Sequence, residues 1–294
     1  MRPRKPLSAL LPNTRVLEGL PENARMAVEQ VFRCFTNEAG LAGLFITGST
    51  ARGLAGADDL DLAAIWDDPI TDEQRRALVQ RCRGNHSADP DTDRFHLHGI
   101  VPEFHFMAGK EQVNKMLTSF CWRGQLTLET DPDRMEGLLA SLLDAVPVYD
   151  PEVLAHQWQK MLTEEYPHQY QVKRVHEQFA SACRRLAHIH RCGRHEDLFY
   201  WAHARIDFAE HIVKAIVCLN RRFFWGGKWV QQQLDRLALK PADAWPRVCS
   251  VLTAPAESAA GRMKDLAMET GDIIARRLPE ADVDFSLRIV RQIP

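Results

Sequence analysis

The feature that most limits the fold of this chain is a change of hydrophobic period near residue 150. Before it, short apolar runs of strand character alternate with amphipathic stretches; beyond it nearly every segment repeats at helical spacing. In the first part, ENARMAVEQVFRCFTN (22–37) reads as a helix with Met26, Val28, Val31, Phe32 and Phe35 on one side. LFIT (44–47) and DLDLAAIW (59–66) read as buried strands, and TDEQRRALVQRC (71–82) as a helix with Thr71 as N-cap. GNHSADPDTD (84–93) is a loop, RFHLH (94–98) and VPEFHF (101–106) alternate like paired strands around Gly99, and a further helix starts near Lys110. VPVYDP (146–151) reads as a connector. Beyond it lie two long helical segments, 165–191 and 197–222, and shorter ones to about 278. The expected organisation is an α/β part over 1–150 and a helical part over 151–294, with no internal repeat.

Composition narrows the class. With 294 residues, 45% hydrophobic and 26% charged, the chain can bury a sizeable core. No run approaches the roughly 20 apolar residues needed to cross a bilayer. The basic N-terminus, MRPRKPLSALLPNTR, lacks the apolar core and cleavage site of a signal peptide and reads as a loose arm. Seven scattered cysteines without a CxxC fit reduced thiols in the cytoplasm. A net charge of −2 lacks the basic excess expected of a protein that grips long nucleic acid.

The stretch GSTARGLAGADDLDL (48–62) carries the chemistry. Residues two apart on a strand share a face, so Asp59 and Asp61 present their carboxylates side by side while Leu60 and Leu62 turn to the core. Such a pair repels itself unless a cation lies between, and Mg²⁺ is the expected one. The alternative is a solvated turn that merely carries charge. Gly48 and Ser49 end the preceding strand and offer backbone N–H groups and a hydroxyl to a phosphate, with Arg52 able to add charge-assisted contacts.

GSTARG…ADDLDLAAIW resembles the Gly-Ser…Asp-x-Asp signature of the DNA polymerase β-like nucleotidyltransferase superfamily, nearest to its minimal and antibiotic-type members. VPVYDP and CLNRRFFWGGKW (218–229) resemble the connector and bundle segments of members with this layout. The resemblance implies an α+β fold, with a small mixed-sheet catalytic domain followed by a mostly helical bundle. It implies a third metal carboxylate on a neighbouring strand, supplied here by Glu103 where many members carry aspartate, with His105 as a neighbour or alternative. It further implies two Mg²⁺ ions and an NTP, ATP by default, whose nucleoside monophosphate passes to a hydroxylated acceptor with release of pyrophosphate. Lys228 would reach the triphosphate, or else is a helix-start lysine beside core tryptophans. Asp207 or Glu210 would serve as acceptor base, or else belong to a solvated, ion-paired helix face. The favoured acceptor is a small molecule; a protein or RNA acceptor, or a non-catalytic nucleotide-binding regulator, stay open. His188, His190, Cys192 and His195 form a dense cluster, but their spacing matches no established zinc finger.

Overall fold

The computed structural model of the chain describes residues 13–36, 40–54, 59–83, 97–124, 132–192 and 198–293. The chain divides into two compact units, Met1–Trp122 with Ser141–Glu165 and Arg123–Ala140 with Tyr166–Pro294, so neither is a single run of sequence. The class is α+β: a small mixed sheet with its helices, then a set of helices.

In the first unit, α1 (Thr14–Glu18) and α2 (Glu22–Thr36) lead into β1 (Leu41–Ile46), the short α3 (Gly48–Ala51) and β2 (Asp59–Trp66). Next come α4 (Asp72–Arg83), β3 (Val101–Gly109) and α5 (Lys110–Arg123), and β4 (Val146–Tyr149) and α7 (Leu154–Glu164) complete the unit; α6 (Pro132–Leu143), which precedes β4 in sequence, belongs mostly to the second unit. The strands form one sheet in the order β3-β2-β1-β4. β1 is antiparallel to both β2 and β4, whereas β2 and β3 are parallel. A parallel pair needs a crossover, and α4 lies within it.

Both faces of β1 and β2 are covered, which is why these strands read as nearly continuous apolar runs. On one face Leu44, Ile46, Leu60, Leu62 and Trp66 join Val28, Val31 and Phe35 of α2 and Leu78 and Val79 of α4 in a single core. Phe35 stacks on Phe104 of β3 with ring centroids 5.0 Å apart. On the other face Phe45 meets Trp158 of α7, whose indole N–H donates to Asn114 Oδ1 at 3.0 Å. Strand alternation places Asp59 and Asp61 on this second face.

Several local expectations hold. Thr71 and Gln74 form a reciprocal capping box at the start of α4, Thr71 Oγ1 accepting from the Gln74 amide and Gln74 Oε1 from the Thr71 amide. Others are corrected. Val146–Tyr149, read as connector, is an edge strand, a place where Pro147 costs no ladder bond. VPEFHF pairs with β2, and Leu97 and Ile100 form a bridge across the expected turn at Gly99; residues 94–96 of the expected partner strand, like the 84–93 loop, lie outside the described residues. Met26 is 41% exposed, off the packed stripe of α2.

Cys34 of α2 and Cys82 of α4 bring their thiols into hydrogen-bond contact. That bond, opposed by burial and aided by Arg81, lowers the half-buried Cys34 thiol to about 7, whereas burial raises Cys121 to about 11. Since the thiolate is the nucleophile, iodoacetamide at pH 7.5 is expected to modify Cys34 before Cys82, Cys121, Cys183 and Cys218. Peptide mapping of a time course checks this, and faster modification of Cys121 would contradict it.

The second unit is built on α8 (His168–Cys192) and α9 (Leu198–Leu219), joined by α10 (Val230–Asp235), α11 (Ala244–Thr253), α12 (Ala256–Arg277) and α13 (Asp284–Arg291). Helical structure thus runs past residue 278. The core takes Phe179 and Leu186 from α8, Phe208, Ile212 and Ile216 from α9, Met263 and Leu266 from α12, and Leu287 from α13. Among the described residues no helix is long and apolar enough to cross a membrane.

Candidate active site

The parallel register of β2 and β3 sets Asp61 directly beside Glu103 and Asp59 beside Val101. Side chains paired in register share a sheet face, so Asp59, Asp61 and Glu103 project together. Their carboxylate oxygens all lie within 4.8 Å of one another, the one such group of potential metal ligands among the described residues. Asp61 is only 7% exposed, while Asp59 and Glu103 are half-buried. Three carboxylates this close repel one another unless positive charge stands among them. An all-oxygen, hard donor set suits Mg²⁺ rather than a softer metal.

The turn from β1 into α3 closes one side of this group. The Thr47 amide donates to the Asp61 carbonyl at 2.8 Å, and the Thr50 hydroxyl to the Asp59 carbonyl at 3.4 Å. Gly48 has φ +62°, and a Cβ built on it would stand 1.7 Å from Asp61 Oδ2. Glycine is therefore required twice over, by the left-handed backbone and by the carboxylate packed against its α-carbon. The amides of Gly48 and Ser49 have no hydrogen-bond partner among the described residues, as expected for the first donors of a helix. Ser49 itself is 8% exposed. Thr47, which sequence reasoning passed over, is buried, and its Oγ1 lacks a hydrogen-bond partner among the described residues. Its signal was its place in ITGS, one residue before the glycine that backs Asp61.

The other candidates stand in different surroundings. Arg52 is half-buried with its side chain 7% exposed, and its Nε lies 2.7 Å from Asp144 Oδ2. The side chain of His105 lies outside the described residues. In the second unit Lys228 is exposed in the loop before α10. Asp207 is ion-paired with Arg185, and Glu210 Oε1 lies 2.5 Å from Lys214 Nζ. Of the histidine cluster, His188 Nδ1 hydrogen-bonds the Tyr200 hydroxyl, and His190 is exposed; the Cys192 side chain and His195 lie outside the described residues.

The family model of a domain of unknown function, DUF4037, matches residues 135–230, about a third of the chain. Structural neighbours include a nucleotidyltransferase-like protein and an adenyltransferase. The first, from Exiguobacterium sibiricum, is 12% identical with a TM-score of 0.40, over 90% of this chain and 79% of that one. The second is spectinomycin adenyltransferase from Enterococcus faecialis, solved with ATP and spectinomycin. It is 11% identical with a TM-score of 0.36, over 90% of this chain and 98% of that one. No curated protein matches the sequence. Likeness at this level assigns no activity to the chain, whose chemistry has to be argued from its own carboxylates.

Proposed function

We propose that the chain transfers a nucleoside monophosphate from an NTP to a hydroxyl of a small acceptor, releasing pyrophosphate in a Mg²⁺-dependent reaction. The observation that carries this reading is the convergence of Asp59, Asp61 and Glu103 beside the strand-to-helix turn at Gly48. These three carboxylates would hold Mg²⁺, which when bound neutralises phosphate charge and makes an attacking hydroxyl more acidic. The amides of Gly48 and Ser49 would donate to oxygens of the triphosphate, as free N–H groups at a helix start commonly do. Burial of Asp61 against Gly48 narrows the positions open to that carboxylate, which favours a site organised before the nucleotide arrives. ATP is the nucleotide that the sequence resemblance implies, and the chain's net charge of −2 favours a small acceptor over long nucleic acid.

The test is thermal melting with each of the four NTPs, with and without Mg²⁺, followed by pyrophosphate release against a panel of hydroxylated acceptors. A ligand at 100 times its Kd stabilises by about 2.7 kcal/mol, a rise of roughly 5–10 °C for a domain of this size. One NTP is expected to give such a rise in Mg²⁺ only, and Asp59→Ala/Asp61→Ala to abolish it. Absence of both the shift and pyrophosphate release would overturn the assignment.

A further inference from the structure

The second unit contains a concavity of about 670 Å³, within the range of small-molecule sites, lined by α8 with His211 of α9 and Ile289 of α13. Ser181, Arg184, His188 and Arg191 line it from α8 at i, i+3, i+7 and i+10, which is one face of a helix. Arg185 also contributes, but its charge is offset by Asp207.

Arg184 and Arg191 stand differently. The Arg184 guanidinium donates to Ser181 Oγ at 2.8 Å, and among the described residues neither arginine is ion-paired with a carboxylate. Elsewhere in the same unit Arg174, Arg247 and Lys214 each have a carboxylate partner. The concavity therefore gathers two guanidiniums that have no carboxylate partner among the described residues, with two imidazoles beside them. Nothing in this lining carries negative charge. Such a set selects a ligand rich in acceptors, and guanidinium forks match the oxygens of a phosphate two at a time. Seven residues of helix separate the two arginines by about 10 Å along the axis, so they can grip opposite ends of a nucleotide-sized molecule.

We propose that this concavity is a binding site for a small organic phosphate, formed wholly within the helical unit and independent of the nucleotidyl-transfer reading. A single strand of RNA is the competing occupant. It is disfavoured because two guanidiniums are few against the six to ten phosphate contacts, roughly, of a nucleic-acid footprint.

Isothermal titration of the full chain in EDTA tests the site, with inorganic pyrophosphate, AMP and a twelve-nucleotide RNA as probes. Without a divalent cation the three carboxylates of the first unit repel phosphate, so binding reports on the arginines. Saturable one-site binding of pyrophosphate or AMP is expected. Arg184→Gln/Arg191→Gln should weaken it at least about tenfold, the loss of one charge-assisted contact or more, with an unchanged melting temperature because both side chains are exposed. No saturable binding, or equal binding by the double variant, overturns the proposal. RNA binding that falls steeply with salt, without binding of the two small probes, overturns it in favour of nucleic acid. None of these outcomes depends on catalysis, so failure here leaves the transferase reading standing, and failure there leaves this site to be judged alone.

Discussion

Asp61→Asn is expected to lower Mg²⁺-dependent pyrophosphate release by at least about a thousandfold, a loss of roughly 4 kcal/mol of transition-state stabilisation. Asparagine keeps the shape of the side chain and removes its charge. Asp61 has Glu103 directly beside it and Asp59 within the same group, so in the absence of metal the substitution relieves like-charge repulsion. The melting temperature without metal should then hold or rise, while the gain in stability on adding Mg²⁺ and NTP disappears. Gly48→Ala provides the contrast. A side chain there meets a left-handed φ, costing about 1–2 kcal/mol, and a carboxylate oxygen 1.7 Å from its Cβ, adding about 1–3 kcal/mol of overpacking. It should lose activity and stability together. An active Asp61→Asn variant sinks the mechanism, whatever Gly48→Ala does.

What the sequence made legible here is local, and what it hid is long-range. Asp59 and Asp61 could be placed on one face because alternation along a strand follows from backbone geometry alone. Glu103 needed a register as well, and a neighbouring strand with a carboxylate was as far as reading alone could go. The role of Gly48 lay half out of sight. A glycine beside a serine suggests room for a phosphate, but the carboxylate resting on its α-carbon belongs to the next strand, thirteen residues on. The ion pair of Arg52 with Asp144 spans 92 positions, and nothing near either residue announces it. β4 escaped notice because its four residues include a proline, which periodicity treats as a break and a sheet edge tolerates. The polar side chains of α6 likewise gave no sign of their partners on α8 and α9, which stand 34 to 81 positions away.

Those partners set the second large effect. Glu136 of α6 is 1% exposed and accepts from the Tyr170 hydroxyl and from Arg174 Nε, the latter at 2.6 Å. Arg174 also reaches Asp133, which binds Lys214 Nζ at 2.6 Å; Lys214 is 3% exposed. Truncation to Glu136→Ala leaves the largely covered Arg174 guanidinium with Asp133 alone, and breaking a buried pair costs about 3–5 kcal/mol. The melting temperature should fall by roughly 10 °C or more. Glu136→Leu/Arg174→Met should recover most of that loss, since an apolar pair of similar volume carries no desolvation penalty. The network also makes an acid signature. Burial alone would raise the Asp133 carboxyl, but the Lys214 hydrogen bond and charge, with Arg174, hold it below its ordinary value. A depressed carboxyl stabilises the fold above that ordinary value, and its contribution is lost as pH falls through the lower, folded one. Lys214→Met removes the main cause, so loss of stability on acidification should begin at a higher pH than in the wild-type chain. Melting curves taken from pH 7 down to pH 3 decide it: identical profiles for the two proteins would mean that Asp133 draws nothing from Lys214, and a Glu136→Ala variant as stable as wild type would mean that the network is ornamental to the helical unit.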